Sequence, residues 1–321
     1  MELNEIYEPF REDLARVEEG LRTVSNVDFP WLAQLLDYSL QGGGKRIRPI
    51  LALLSGKFYN YSLERLLPMA VAVELMHLAT LVHDDTIDNS PVRWGRPTVH
   101  KLWGMEQAVL LGDYMFARSG QLTATTGNVR VIRLLSETLM TISSGELAQA
   151  SSAFNLNQTL QSYIQRIASK TASLFCLATE SGAVLSQAPE ESIQILRNYG
   201  YNLGIAFQVV DDILDFIGTE EELGKPVGSD LSQGTLTLPA MLLNEKYPED
   251  NPVKRLFEKG DKEENIRQAV DAIRNSSIVQ ECLAVASEYT SRACQGIERL
   301  PQNSSRQALV NLAEYIVTRR R

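Results

Sequence analysis

Apolar side chains return every three or four residues along this chain. Ile6, Phe10, Leu14, Val17, Leu21 and Val24 form the first such run, with Pro9 near its start, and a stripe of that period buries one face of an amphipathic helix. The same spacing predicts helices over residues 31–40, 47–58, 66–88, 129–150, 163–185, 193–217, 266–272, 279–297 and 307–318. Alternation of period two is nearly absent. Its best stretch, Thr235 to Leu238, is short and runs into Pro239, which cannot donate to a strand ladder. The expectation is an all-α fold with at most a local hairpin.

The breaks, at residues 41–44, 89–98, 125–128, 155–159, 186–189, 218–237, 247–265 and 301–305, are polar and lack the low complexity of a linker. They point to a single domain over residues 1–321. The longest glycine-punctuated break, 218–237, is where a mobile loop or lid is expected.

Composition narrows the partners. The 321 residues are 44% hydrophobic, enough for a sizeable core, and 31 Lys and Arg against 40 Asp and Glu give a net charge of −9. That balance argues against a nucleic-acid binder with a broad basic surface. Three cysteines, Cys176, Cys282 and Cys294, are odd in number and show no C-x-x-C spacing, as expected of a reducing, cytoplasmic compartment. Glu2, Glu5, Glu8, Glu12 and Asp13 occupy the stretch where an export signal needs positive charge. Residues 66–82 are apolar but contain Pro68, Glu74 and His77 and fall short of the ~20 residues of a membrane span. They read as a buried helix, with no transmembrane span.

Two short segments echo one another. His83-Asp84-Asp85-Thr86-Ile87-Asp88 and Val210-Asp211-Asp212-Ile213-Leu214-Asp215 each end an apolar helical segment with three aspartates. In each, the first and last Asp stand at i and i+4, on one helix face, where like charges cost roughly 0.2–0.5 kcal/mol per pair. One such motif would be read as a solvated acidic helix end; two call for a cation. Mg²⁺ binds through one or two carboxylates, water and substrate phosphate oxygens. Polar positions continue upstream on the same faces: His77, Thr80 or Leu81, Asp84 and Asp88 in the first, Gly204, Gln208, Asp211 and Asp215 in the second. Two apolar helices with acidic stripes predict facing walls of a deep central cavity with metals at its mouth.

A third feature is the glycine-rich turn at residues 41–44 followed by Lys45, Arg46 and Arg48. Lys45 as a point charge and Arg48 as a bidentate fork can grip a diphosphate; standing alone, the cluster would equally suit a solvated basic loop. It does not match the nucleotide-binding G-x-x-x-x-G-K-[ST] loop, because Arg46 follows Lys45 and no strand precedes it.

Together these residues resemble the trans-polyprenyl diphosphate synthases, the polyprenyl synthetase family. The resemblance rests on GGKRIRP at 43–49, ELMHLATLVHDDTID at 74–88, RWGRPT at 93–98, GELAQ at 145–149, KTA at 170–172, GIAFQVVDDILD at 204–215 and GKPVGSDL at 224–231. It implies a single polyprenyl synthetase domain of the isoprenoid synthase type. It further implies that Asp84, Asp85, Asp88, Asp211 and Asp212, with Asp215 directly or through water, hold three Mg²⁺ on the diphosphate of an allylic primer. Arg93, Lys170, Thr171, Gln208 and Lys225 would contact that diphosphate, with Lys170 and Lys225 counted among the catalytic groups beside the aspartates. Lys45, Arg48 and His77 would hold isopentenyl diphosphate opposite. The implied reaction ionises the allylic C–O bond in a dry cavity, with Phe207 a candidate aromatic face for the cation, and needs no protein general base.

Two positions depart from the family pattern. Trp94 stands where a second Arg is usual, so Arg96 must substitute or acceptor binding weakens, and Thr235 stands where Lys is frequent. Small residues at Ala79 and Thr80, one turn before Asp84, leave the product tunnel open, so an all-trans product of about C30 to C50 is expected; Met76, deeper in the helix, could itself be a stop, and a C15–C20 product is the alternative. His77, His83 and His100 lack metal-site spacing and read as hydrogen-bonding residues; the cysteines read as small buried hydrophobes. Arg319, Arg320 and Arg321 read as a solvated tail, with transient membrane contact at product release as the lesser reading. A homodimer is expected, with the catalytic subunit of a heteromeric synthase as a second possibility. A class I terpene cyclase would share the cavity but carry a different second metal motif and lack the 43–49 cluster.

Overall fold

The computed structural model describes residues 2–223, 226–258 and 261–319. Its principal helices are α1 (Arg11–Thr23), α2 (Pro30–Leu40), α3 (Ile47–Gly56), α4 (Leu63–Ile87), α5 (Met105–Ala124), α6 (Val129–Ser151), α7 (Leu160–Ile167), α8 (Ser173–Leu185), α9 (Glu190–Ile217), α10 (Leu238–Lys246), α11 (Lys262–Arg274), α12 (Ile278–Ile297) and α13 (Ser304–Thr318). Shorter turns join them. The strands among the described residues are β1 (Val92–Arg93) and β2 (Arg96–Pro97), one short hairpin that lies in the break at 89–98 and not at the expected stretch 235–238.

The two helices that carry the aspartate motifs are core helices with long buried faces. α4 packs on α1, α3, α5 and α8, and α9 on α8, α12 and α13. They meet chiefly through α8, which touches both, so their acidic C-terminal ends stand apart with space between. α4 is long and apolar enough to cross a membrane, but most of its apolar stretch is buried in the bundle. It is a core helix, and its internal Pro68 lies within the first two turns, where few backbone bonds are lost. α8 crosses α3 at Gly182, where a Cβ would stand 2.1 Å from the Ala52 carbonyl oxygen.

Several elements differ from the periodicity. The first run is split at Pro9 into Leu3–Tyr7, a 3₁₀ turn Glu8–Phe10, and α1. The run over 163–185 is broken by a π-turn, Ala168–Ala172. α5 has no single apolar stripe because Val109 and Leu110 face outward beside buried Ala108 and Leu111. α10 begins where a strand was conceivable, with Pro239 in its first turn, a position that suits proline in helices. A helix Pro252–Phe257 occupies the break at 247–265. In the described part of 218–237, Gly228 N–H donates to the Asp215 carbonyl (2.9 Å), Ser229 Oγ to Asp215 Oδ1 (3.0 Å) and Thr235 N–H to the Asp230 carbonyl (2.9 Å). Lys225 lies outside the described residues.

Candidate active site

The first wall is the end of α4. Asp85 is bound by Arg93 of the hairpin through Nε, 2.8 and 2.9 Å from its two oxygens, and through Nη2 at 2.8 Å. Burial nevertheless holds its carboxyl above the usual range. Asp84 ion-pairs with Lys170 at 3.7 Å, and Lys170 also pairs with Glu146 of α6 at 2.7 Å. Burial pulls the Lys170 ammonium down, but Asp84, Glu146 and Asp88 outweigh it and its pKa is raised. Asp88 is pushed up by burial and by the charges of Asp84 and Asp230 against the pull of Lys170. The π-turn presents Lys170 and Thr171 to this space, one of the irregularities that single-turn π-bulges introduce at functional sites.

The second wall is the end of α9. Gln208 Nε2 donates to Asp212 Oδ1 (2.8 Å), Tyr163 Oη to Asp212 Oδ2 (2.7 Å), and Thr171 Oγ1 to Gln208 Oε1 (2.5 Å). Burial, helped by Asp230, pushes Asp212 up to about 7. Asp215 is fully buried, and its oxygens accept from Ser229 Oγ and the Asp230 N–H. It secures the turn that brings Asp230 between the two motifs. Asp211 accepts from Arg319 at 2.5 Å.

That last contact corrects the expectation of a solvated tail at Arg319; Arg320 and Arg321 lie outside the described residues. The Arg319 side chain is only 3% exposed, lies 4.0 Å over the Phe207 ring, and also donates to the Phe207 carbonyl at 2.9 Å. Phe207 packs on Phe175, and Arg48 covers the far side of Phe175 at 5.0 Å. Arg48 and Arg319 each keep a buried Nε without a hydrogen-bond partner, and burial lowers Arg48 to about 10. His77 is held well below its ordinary range by burial and by Arg48, Arg93 and Arg46, so it is neutral. Arg46 does not face the site. It ion-pairs with Glu18 (2.5 Å) and Glu74 (2.9 Å) and donates to the Gly43 carbonyl (2.9 Å), fixing the glycine turn. The Lys45 carbonyl accepts from Tyr7 Oη at 2.9 Å.

The mouth cavity, of about 1290 Å³, opens on the side of the first motif and is lined by Asp85, Asp88, Arg93, Trp94, Asp230 and Arg274 among others; Asp84, Lys170, Asp211 and Asp212 are not among its lining residues. Met76 and Ala79 are enclosed by the core, while Thr80 is half-buried with its hydroxyl on the His77 carbonyl (2.7 Å). His83 and His100 take hydrogen-bonding places, at the Val109 carbonyl (3.0 Å) and Thr98 Oγ1 (3.1 Å). Cys282 is buried, and Cys176 and Cys294 are partly so. Glu146, Tyr163 and Asp230 are not among the residues the sequence reading assigns to the site, and it assigns Arg319 to a solvated tail. Glu146 and Asp230 lie inside motifs that had been recognised, so a signal was there; Tyr163 and Arg319 carry none.

Among the described residues no three carboxylate, imidazole or thiol groups are arranged to hold a metal by themselves. The donor set still fits a hard divalent cation: it is all oxygen, and burial raises Asp85, Asp88 and Asp212, with like charges from Asp84 and Asp230 adding to it. A cation completed by phosphate oxygens and water suits such a set.

An all-α bundle whose two core helices end in opposed aspartate clusters is the isoprenoid synthase architecture. The polyprenyl synthetase family model matches residues 29–273. The chain is 39% identical to "heptaprenyl diphosphate synthase component 2" of Geobacillus stearothermophilus over 319 residues, 98% of each. Its fold matches a polyprenyl synthase from Caulobacter crescentus CB15 complexed with calcium and isoprenyl diphosphate at TM-score 0.95 and 32% identity, covering 100% of this chain and 98% of that one. A decaprenyl diphosphate synthase from Rhodobacter capsulatus matches at TM-score 0.92 and 37% identity over 100% of both chains. The chain belongs to the polyprenyl synthetase family and is a prenyltransferase.

Proposed function

We propose that residues 1–321 form one polyprenyl synthetase domain that adds isopentenyl diphosphate units head-to-tail to an allylic diphosphate, farnesyl or geranylgeranyl, making an all-trans product of about C30 to C50. The observation that carries this is the pair of opposed aspartate clusters with Lys170 and Asp230 between them. The names of the similar synthases, heptaprenyl and decaprenyl, support the chain length.

Asp84, Asp85, Asp88, Asp211 and Asp212 would hold three Mg²⁺, with Asp215 acting through water or through the Ser229 turn. When bound, the metal supplies Lewis-acid polarisation of the leaving diphosphate. Arg93, Lys170, Thr171, Gln208 and Lys225 hold the allylic diphosphate. Lys45, Arg48 and neutral His77 hold that of the acceptor, where the open Nε of Arg48 gives a donor in a dry site. The C–O bond of the primer breaks with its electron pair on the diphosphate, the acceptor double bond forms the new C–C bond, and the proton leaves to the diphosphate. Phe207, packed on Phe175, is the candidate aromatic face for the allylic cation. Three unpaired cysteines suit a cytoplasmic enzyme.

The outward residues Met105, Val109 and Leu110 of α5 with Met140 and Leu147 of α6 support a homodimer through these helices. The name "component 2" of the Geobacillus protein favours a heteromeric synthase as the second reading. Purified protein with Mg²⁺, isopentenyl diphosphate and farnesyl diphosphate should give elongated polyprenyl diphosphates by mass spectrometry. Absence of any elongation, alone or with a candidate partner subunit, would refute the proposal, and a cyclised hydrocarbon would indicate a cyclase.

A further inference from the structure

The hairpin turn is strained at a bulky residue. Trp94 and Gly95 occupy its two central positions at φ +51° and +73°. A two-residue hairpin of this kind needs positive φ at both, and Asn or Gly ordinarily takes the first; a tryptophan there is a genuine outlier, the sort of strain that persists where surrounding structure holds it. What holds it is the glycine-rich turn. The indole lies against Gly42 so closely that a Cβ there would stand 3.0 Å from Cζ3 and 3.1 Å from Cε3. Trp94 also lines both the mouth cavity and a smaller one of about 60 Å³ beneath the hairpin.

The hairpin's two arginines are committed elsewhere. Arg93 is fixed on Asp85, and Arg96 lies 4.2 Å over the Tyr38 ring with a long contact of 3.5 Å to the Tyr38 carbonyl. Arg96 therefore does not fill the place of the missing second cation. The element that meets the glycine turn is an apolar ring.

We infer that Trp94 is a positioning residue for the acceptor: its ring, seated on Gly42, holds the glycine turn and with it Lys45 and Arg48 in the conformation that grips the isopentenyl diphosphate. Packing thus replaces a charge contact, and the left-handed backbone at Trp94 is what aims the ring. The inference rests on the proposed assignment of Lys45, Arg48 and His77 to the acceptor. It implies that the effect of Trp94 is confined to one of the two substrates.

Trp94→Asn relaxes the turn while removing the ring. It should raise KM for isopentenyl diphosphate about tenfold, leave KM for farnesyl diphosphate and kcat within about twofold, and not lower the melting temperature; Trp94→Phe should recover most of the loss. Gly42→Ala, whose backbone tolerates alanine, should raise the same KM by lifting the ring. The double variant should be no worse than Trp94→Asn alone, since both remove one contact. An unchanged acceptor KM in Trp94→Asn, an equal rise in both KM values, or a lowered melting temperature would overturn the inference. Calorimetric binding of isopentenyl diphosphate keeps the two readings apart: weaker binding by Trp94→Asn in a protein without turnover would refute the proposed reaction and uphold this role, and equal binding would refute the role.

Discussion

Tyr163 and Gln208 each donate to a different oxygen of Asp212, and the carboxyl they share is buried deeply enough to titrate at about 7. In the unfolded chain the same acid releases its proton near ~4. Between those values the folded state binds more protons than the unfolded one, so stability falls as pH rises through that window and the full penalty stands above about pH 7. An asparagine mimics the protonated acid, with one acceptor and one donor. Asp212→Asn should therefore raise the melting temperature of the metal-free protein at pH 8 and leave it nearly unchanged at pH 4.5, while abolishing elongation. Equal shifts at both pH values in differential scanning calorimetry would show that burial does not set the ionisation of this residue.

At the scale of elements, the two motif helices were legible because their signals are local: a 3.6-residue apolar period and a repeated aspartate spacing. α5 was not legible, because Val109 and Leu110 face outward and blur its stripe. The π-turn at 168–172 was invisible because it changes the backbone bonding and not the composition. Tyr163 was missed, and Arg319 read as a solvated tail, for a related reason: each acts on an aspartate that lies 49 or 108 residues away in sequence, and only tertiary packing brings them together. Two predictions belong to this scale. Gly182→Ala drives a methyl into the Ala52 carbonyl where α8 crosses α3; backbone stands on both sides, so the cost should be about 3 kcal/mol, read as a lower denaturant midpoint at unchanged slope. Ala79→Tyr places an aromatic one turn below Asp84 and should shorten the main product to about C15–C20. Because Ala79 is enclosed, Thr80→Phe on the half-buried neighbouring position is the companion variant, and unchanged product length in both, by mass spectrometry, would remove α4 as the floor of the tunnel.

Across the whole molecule, both ends of the chain converge on the site. Tyr7 Oη bonds the Lys45 carbonyl at 2.9 Å and Arg319 reaches Asp211, so segments far apart in sequence supply a hydroxyl and a cation to residues of the candidate site. Under the proposed assignment of Asp211 to the metal, the Arg319 guanidinium and a divalent cation would compete for the same oxygen, since a carboxylate lone pair spent on a 2.5 Å bond is withdrawn from metal coordination. A hydrogen bond between charged groups contributes roughly 1.5–3 kcal/mol. Removing Arg319 should therefore have effects of opposite sign in the two states. Arg319→Ala should destabilise the metal-free protein by about 1.5–3 kcal/mol in chemical denaturation, and lower the Mg²⁺ concentration needed for half-maximal elongation. If the metal requirement instead rises, Arg319 assists the charged assembly rather than competing with it, and the ion pair with Asp211 is not the resting state that metal must displace.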